Sequence, residues 1–153
     1  MKCIVQRVSH ASVVVAGRET GAISRGLLVL AGIHRDDSEA DLRWTADRLV
    51  GLRIFPDADG KMNLSVAQVG GGVLLIPNFT LCAQTGKGHR PSFIDAMAPQ
   101  RSAPMFDALA AAITAAGIPA ARGTFGAHMD VTLTNDGPIS IILDSHQHLE
   151  RPA

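Results

Sequence analysis

Residues 72–93 read GVLLIPNFTLCAQTGKGHRPSF, and the reading of that run decides the fold. Val73, Leu74, Leu75 and Ile76 form an unbroken apolar stretch, the pattern of a strand covered on both faces. Pro77 ends regular pairing, because it has no N–H to give to a ladder. Asn78 to Thr85 is polar but still carries Phe79, Leu81 and Cys82, and Gly86 to Pro91 adds Lys87, His89 and Arg90 between glycines. A buried strand that delivers small polar groups and free backbone N–H donors to its end is the arrangement in which mixed and parallel sheets carry chemistry.

Upstream of this run, residues 2–15 alternate as two strands or one long bent one, with Thr20 to Ile23 as the return of a hairpin around Gly17. LLVLAGI after Gly26 predicts a second buried strand. Ser38 with Asp41 three residues on opens a helix that runs to about Val50, its apolar face formed by Leu42, Ala46 and Leu49. Arg53–Phe55 predicts a short strand and Pro56–Gly60 a turn. That acidic turn lacks the later glutamate of a calcium loop. Downstream, Ser102 and Pro104 open a second helix that Gly117 ends, with Met105, Phe106, Leu109 and Ile113 in its buried stripe. Three strands close the chain: Arg122–Phe125, His128–Thr134 and Pro138–Leu143. The spacing predicts one α/β domain over residues 1–144, with a mixed sheet of seven or eight strands, two main helices, and a frayed tail over 145–153.

The composition narrows the classes. A chain of 153 residues with 46% apolar and 18% charged residues is globular and single-domain. No apolar run approaches the ~18 residues of a membrane span, and the first residues lack a signal-peptide layout. Cys3 and Cys82 sit in apolar surroundings without metal spacing, which predicts reduced thiols and a cytoplasmic location. Fourteen basic residues balance fourteen acidic ones, so a nucleic-acid partner must be gripped locally, at a few cations.

Candidate chemistry is sparse. Cys82 with His89 is one conceivable nucleophile and base pair, and a plain buried thiol is the other reading. Thr80 is a hydroxyl at the end of a buried strand. No G-x-S-x-G, P-loop or G-x-G-x-x-G is present, and the histidines lack a zinc pattern. Asn135-Asp136-Gly137-Pro138 reads as a hairpin turn between two strands. Its Gly137-Pro138 bond is a candidate for the cis form.

These residues together resemble the bacterial D-aminoacyl-tRNA deacylases. The resemblance is carried by NFTL and GHRPSF in the central run, by GTFGAHM at 123–129 and by NDGPIS at 135–140, and it extends to IVQRVSHASVVV, GLLVLAGI and RIFPDADGKMN. It implies a three-layer α/β/β fold, a homodimer, no metal or cofactor, and cleavage of the ester between a D-amino acid and the 3′ terminal adenosine of tRNA. The family usually has Ser-Gln before Phe-Thr-Leu. Here Pro77 and Asn78 stand there, which shortens the amide side chain and removes a hydroxyl and an N–H.

The resemblance assigns roles residue by residue. Backbone N–H groups of Phe79 and Thr80 are expected to stabilise the oxyanion, with Thr80 positioning the ester and the substrate's ribose 2′-hydroxyl assisting. Gln6, Arg7, Asn78, Phe125 and Met129 are expected to line the adenosine and aminoacyl pocket, with cations such as Lys87 and Arg90 nearby. Gly137 and Pro138, reaching in from the partner subunit, are expected to reject L-amino acids and to spare neither D-aminoacyl-tRNA nor glycyl-tRNA. Two other readings stay open: a dimeric binding module disarmed by the loss of Ser and Gln, and a hydrolase working through Cys82.

Overall fold

The structure is a computed structural model that describes residues 1–149. Its backbone is a strongly curved mixed sheet. β1 (Lys2–Val15) is one continuous strand, paired antiparallel with β3 (Gly26–Gly32) through its first half and with β2 (Arg18–Ile23) through its second. β3 runs parallel to β6 (Gly72–Pro77), and β6 parallel to β7 (Ala120–Arg122). The apolar run at 73–76 is therefore a central strand, and all four residues are buried. β8 (Asp130–Asp144) lies along the other side of β1 from end to end.

Two helices, α1 (Glu39–Gly51) and α2 (Pro99–Ala115), cover one face of this sheet. Phe106, Leu109 and Ile113 of α2 and Leu42, Ala46 and Leu49 of α1 join Cys3, Val5, Val29, Val73 and Leu75 in the larger core. Because strand side chains alternate, Leu28, Leu74 and Ile76 point the opposite way. They meet Val8, Ala11 and Val13 from the far half of β1 in a second core, flanked by Val131 and Leu133. The curl of β1 thus lays a second β layer on the sheet, giving the three-layer α/β/β architecture expected. No helix among the described residues is long and apolar enough to cross a membrane.

Several boundaries differ from the expectations. The segment at 55–64 is a small hairpin, β4 (Phe55–Pro56) with β5 (Met62–Leu64), instead of a strand ending at Phe55. α2 begins at Pro99, three residues before Ser102, and takes Pro104 within its first two turns. Phe125 lies outside any strand. The largest correction concerns residues 128–143, which hold no hairpin. Leu133 pairs with Ala11 and Ile141 with Val5, so both halves of β8 run in the same direction against β1. Between the pairs Val8–Asn135 and Gln6–Ser140, residues 136–139 bulge out of the ladder.

The tail also departs from a frayed segment as far as it is described. Residues Ser145–Gln147 form a 3-10 turn, and Ser145 is fully buried. Its hydroxyl donates to Asp41 (2.5 Å) and accepts from the Met1 amino group (2.5 Å). That amino group also donates to Asp37 Oδ1 (2.5 Å), the oxygen that His146 Nε2 meets at 2.6 Å. Residues 150–153 of the expected tail lie outside the described residues.

Candidate active site

β3, β6 and β7 are parallel, so their carboxyl ends lie on one edge of the sheet, the edge where ligands bind in open α/β sheets. Each strand contributes there: β3 leads to Ile33, β6 to Pro77–Thr80, and β7 to the loop carrying Phe125. Asn78 still donates its amide to Ala31 (2.8 Å), which keeps the chain on the sheet for one residue past β6. Phe79–Cys82 then wind into a single 3-10 turn. Gly32 makes this possible: a Cβ there would sit 2.8 Å from Leu81 Cβ and 3.0 Å from the Asn78 carbonyl oxygen.

Asn78 caps the turn. Its side-chain oxygen accepts the Thr80 amide (3.3 Å) and, at closer range, the Thr80 hydroxyl. Of the two amides expected to face an oxyanion, Thr80's therefore has a partner within its own turn. Phe79 supplies the first amide of the turn, and the opening N–H groups of a helical segment have no intrahelical acceptor. Phe79 itself is 56% exposed.

Two cavities flank this turn, one on each side of the sheet's end. The first, about 380 Å³, opens on the helix side and is apolar, lined by Ile33, Met97, Phe106 and Phe125 among others. The second, about 330 Å³, opens on the β-layer side beneath Leu30, Ile76, Met129 and Val131. Pro77, Asn78, Phe79 and Gly126 line both and form the partition between them. Phe93 meets Phe79 edge-on at 5.1 Å at the mouth of the first. Phe125 and Met129 are thus both at the site, but in different compartments.

Gln6, Arg7, Gly137 and Pro138 lie elsewhere in the same chain. Pro77 is level with Ala31 and hence with Cys3, four residues along β1 from Arg7. Arg7 is buried: it donates to the Asp136 carbonyl (2.8 Å) and the Ile54 carbonyl (2.7 Å) and pairs with the Asp136 carboxylate (3.2 Å). It lines neither cavity beside the 3-10 turn and instead anchors the bulge. Asn135 completes the anchor, accepting the Ile139 amide (2.7 Å) and donating to the Ile139 carbonyl (3.0 Å). The Gly137-Pro138 bond is cis, and Gly137 has φ +156° with no room for a Cβ, which would lie 2.7 Å from Ile139. Sequence reasoning missed the bulge because Asp-Gly between two apolar runs is the ordinary signature of a hairpin.

The thiol reading finds no support. Burial pushes the Cys82 thiol up from its ordinary value, and Cys3, fully buried, is pushed up to about 12. Both shifts disfavour the thiolate. Among the described residues, Asp37, Asp41 and His146 bring together groups able to ligate a metal, a set the sequence did not single out. The Met1 ammonium lies 2.5 Å from Asp37 and 3.9 Å from Asp41, so a cation already sits beside the two carboxylates. Burial works against ionised Asp41, but hydrogen bonds from Ser145 and Ser38 outweigh it and hold the carboxyl at about 2.

The fold and site together define a three-layer α/β/β protein with an apolar cavity beside a 3-10 turn at the carboxyl ends of its parallel strands. The D-Tyr-tRNA(Tyr) deacylase family model matches residues 4–144, and the chain belongs to that family. It is 51% identical to the D-aminoacyl-tRNA deacylase of Opitutus terrae, over 95% of this chain and 98% of that one. It is 50% identical to that of Anaeromyxobacter dehalogenans, over 96% and 99%. Among solved structures, the c-Myc DNA unwinding element binding protein superposes with a TM-score of 0.87 at 34% identity over the whole of both chains. A probable eukaryotic D-amino acid tRNA deacylase shares the fold, with a TM-score of 0.79 at 17% identity over 93% and 97%.

Proposed function

We propose that this protein hydrolyses the ester joining a D-amino acid to the 3′ terminal adenosine of tRNA, acts on glycyl-tRNA as well, and spares L-aminoacyl-tRNA. The observation that carries the proposal is the Pro77–Thr80 partition, a 3-10 turn standing between an apolar cavity of about 380 Å³ and a second compartment. The adenine enters the first cavity against Phe125, and the ester carbonyl lies over the turn. The Phe79 amide, and the Thr80 amide once it is shared with Asn78, stabilise the oxyanion, while Thr80 positions the ester. An activated ester with a neighbouring ribose 2′-hydroxyl needs no Ser-His-Asp set, in keeping with the sparse ionisable groups at the turn.

Rejection of L substrates falls to the 136–139 bulge. A site open to many D side chains can discriminate only by filling the space an L side chain needs. Main-chain atoms fixed by Arg7 and Asn135 suit that task, because they cannot rotate aside. Glycine brings no side chain to exclude. Within one chain the bulge stands away from the turn, four residues along β1 and three strands across. A two-fold homodimer is therefore the proposed working form, with each bulge serving the partner's site. The open edge of β8, with Ile142 71% exposed on it, offers apolar surface for such a contact. The cytoplasm, where tRNA is charged, is the proposed location.

Deacylation of D-Tyr-tRNA, Gly-tRNA and L-Tyr-tRNA by the purified protein tests the reading. The expected outcome is hydrolysis of the first two and persistence of the third. Binding of all three without turnover would instead identify a disarmed binding module.

A further inference from the structure

We propose that the loop between Gln84 and Ser92 grips the backbone phosphates of the single-stranded RNA end whose last nucleoside enters the cavity beside Phe79. The inference rests on the deacylase reading for the identity of that RNA. The loop is a built feature: Gln84 and Ser92 exchange backbone hydrogen bonds at 2.8 and 3.0 Å, and the Gln84 side chain donates to Asp95 at 2.5 Å. Above this base every residue from Thr85 to Pro91 is exposed.

The charge argument is local. In a chain with fourteen cations and fourteen anions, five of the cations sit against carboxylates: Arg7 with Asp136, Arg35 with Asp95, Arg43 with Glu39, Arg122 with Asp107, Lys2 with Asp144. Lys87 and Arg90 enter no ion pair among the described residues, and residues 83–94 contain no acidic side chain. Positive potential is left over at this loop. Its concave side encloses about 630 Å³ lined by Gln84, Thr85, Gly86, Lys87, Arg90 and Ser92, a lining of hydroxyl, amide and cationic groups with no apolar side chain. Arginine supplies a fork for phosphate oxygens and lysine a point charge.

The loop enters directly from the 3-10 turn and leaves into Phe93, which packs on Phe79 at the mouth of the apolar cavity. A chain whose terminal base sits in that cavity must pass its preceding phosphates over this segment.

The test measures binding of an RNA hairpin with a single-stranded CCA end, across a salt series, for the wild type, a Lys87→Ala/Arg90→Ala variant and a Lys61→Ala control on the distant β4–β5 turn. Hydrolysis of D-Tyr-tRNA and of D-tyrosyl-adenosine, which has no phosphate, is followed in parallel. Two lost phosphate contacts should flatten the log–log salt slope by about 1.4 and weaken binding several-fold at low salt, because each contact to a single strand contributes about 0.7. Turnover of D-tyrosyl-adenosine should stay unchanged, and Lys61→Ala should match the wild type. An unchanged slope in the double variant, or equal losses on both hydrolysis substrates, overturns the grip. Salt-sensitive binding that the double variant loses, in a protein that hydrolyses neither substrate, counts against the deacylase reading and leaves the grip standing.

Discussion

The hub around Met1, Asp37, Asp41, Ser145 and His146 and the turn at Pro77–Thr80 both gather polar groups on the larger core, by opposite means. The hub is dense in charge: an ammonium, two carboxylates and an imidazole lie within 4 Å contacts of one another, and the Asp37 side chain is fully buried. The turn holds no ionisable side chain, and its Thr80 amide and hydroxyl both donate to the Asn78 carboxamide oxygen. A search for catalysis by counting titratable groups stops at the hub. There, however, every group is matched by a partner that also ties the two ends of the fold together. The position of the turn between two cavities, not its charge, separates the candidate active site from the clasp.

Three experiments can break or sharpen that contrast. The largest effect is expected from Asp37→Ala, which strands a buried ammonium: breaking such a pair costs about 3–5 kcal/mol. At roughly 2–4 °C per kcal/mol, the melting temperature should fall by about 10 °C. Deacylation by the folded fraction at 25 °C should stay within about twofold. Loss of activity without loss of stability would place the hub in the site and erase the distinction.

Thr80→Ala should do the reverse. Removing a positioning hydroxyl should lower single-turnover deacylation by about 10- to 100-fold, or about 1.4–2.7 kcal/mol of barrier. The melting temperature should move by no more than about 2 °C. A fall to the uncatalysed rate would make Thr80 a nucleophile and sink the substrate-assisted reading.

The smallest effect concerns acid. Asp41 is held at about 2 in the folded protein, below its ordinary value of 3.8. A carboxyl depressed by folding contributes stability above its unfolded value, and loses it as pH falls through the folded one. Asp41 should thus contribute about 2 kcal/mol at neutral pH, fading between about pH 4 and pH 2. Urea unfolding of wild type and Asp41→Asn at pH 6, 4 and 2 checks this. A stability gap that stays constant across the series contradicts it.

Much of this was legible in the sequence, for local reasons. The run at 73–76 can only be a strand buried on both faces, and Pro77 can only end it. The stripes of α1 and α2 follow from spacing alone, and the cis bond at Gly137-Pro138 was marked by its odd place before a strand. What escaped depends on long-range register. Whether Asp136-Gly137 reverses the chain or bulges from it is decided by β1, more than a hundred residues earlier, to which both flanks pair. The hub escaped for the same reason: Asp37, Asp41 and His146 are brought together by the meeting of the chain's two ends. At the turn, residue types pointed to the segment where the two cavities meet. The division of Phe125 and Met129 between two compartments needed the strand alternation of Leu30 and Ala31 in three dimensions.

β1 has a consequence for how the molecule comes apart. Its first half carries Cys3 and Val5 into the core under the helices, and its second half carries Val8, Ala11 and Val13 into the other. It is hydrogen-bonded on both sides for most of its length. Neither core can open without releasing a strand that the other also needs, so the two melt as one cooperative unit. Slow amide hydrogen exchange along β1 then reports the stability of the whole protein, whereas exchange in the 84–92 loop reports only its own fluctuations.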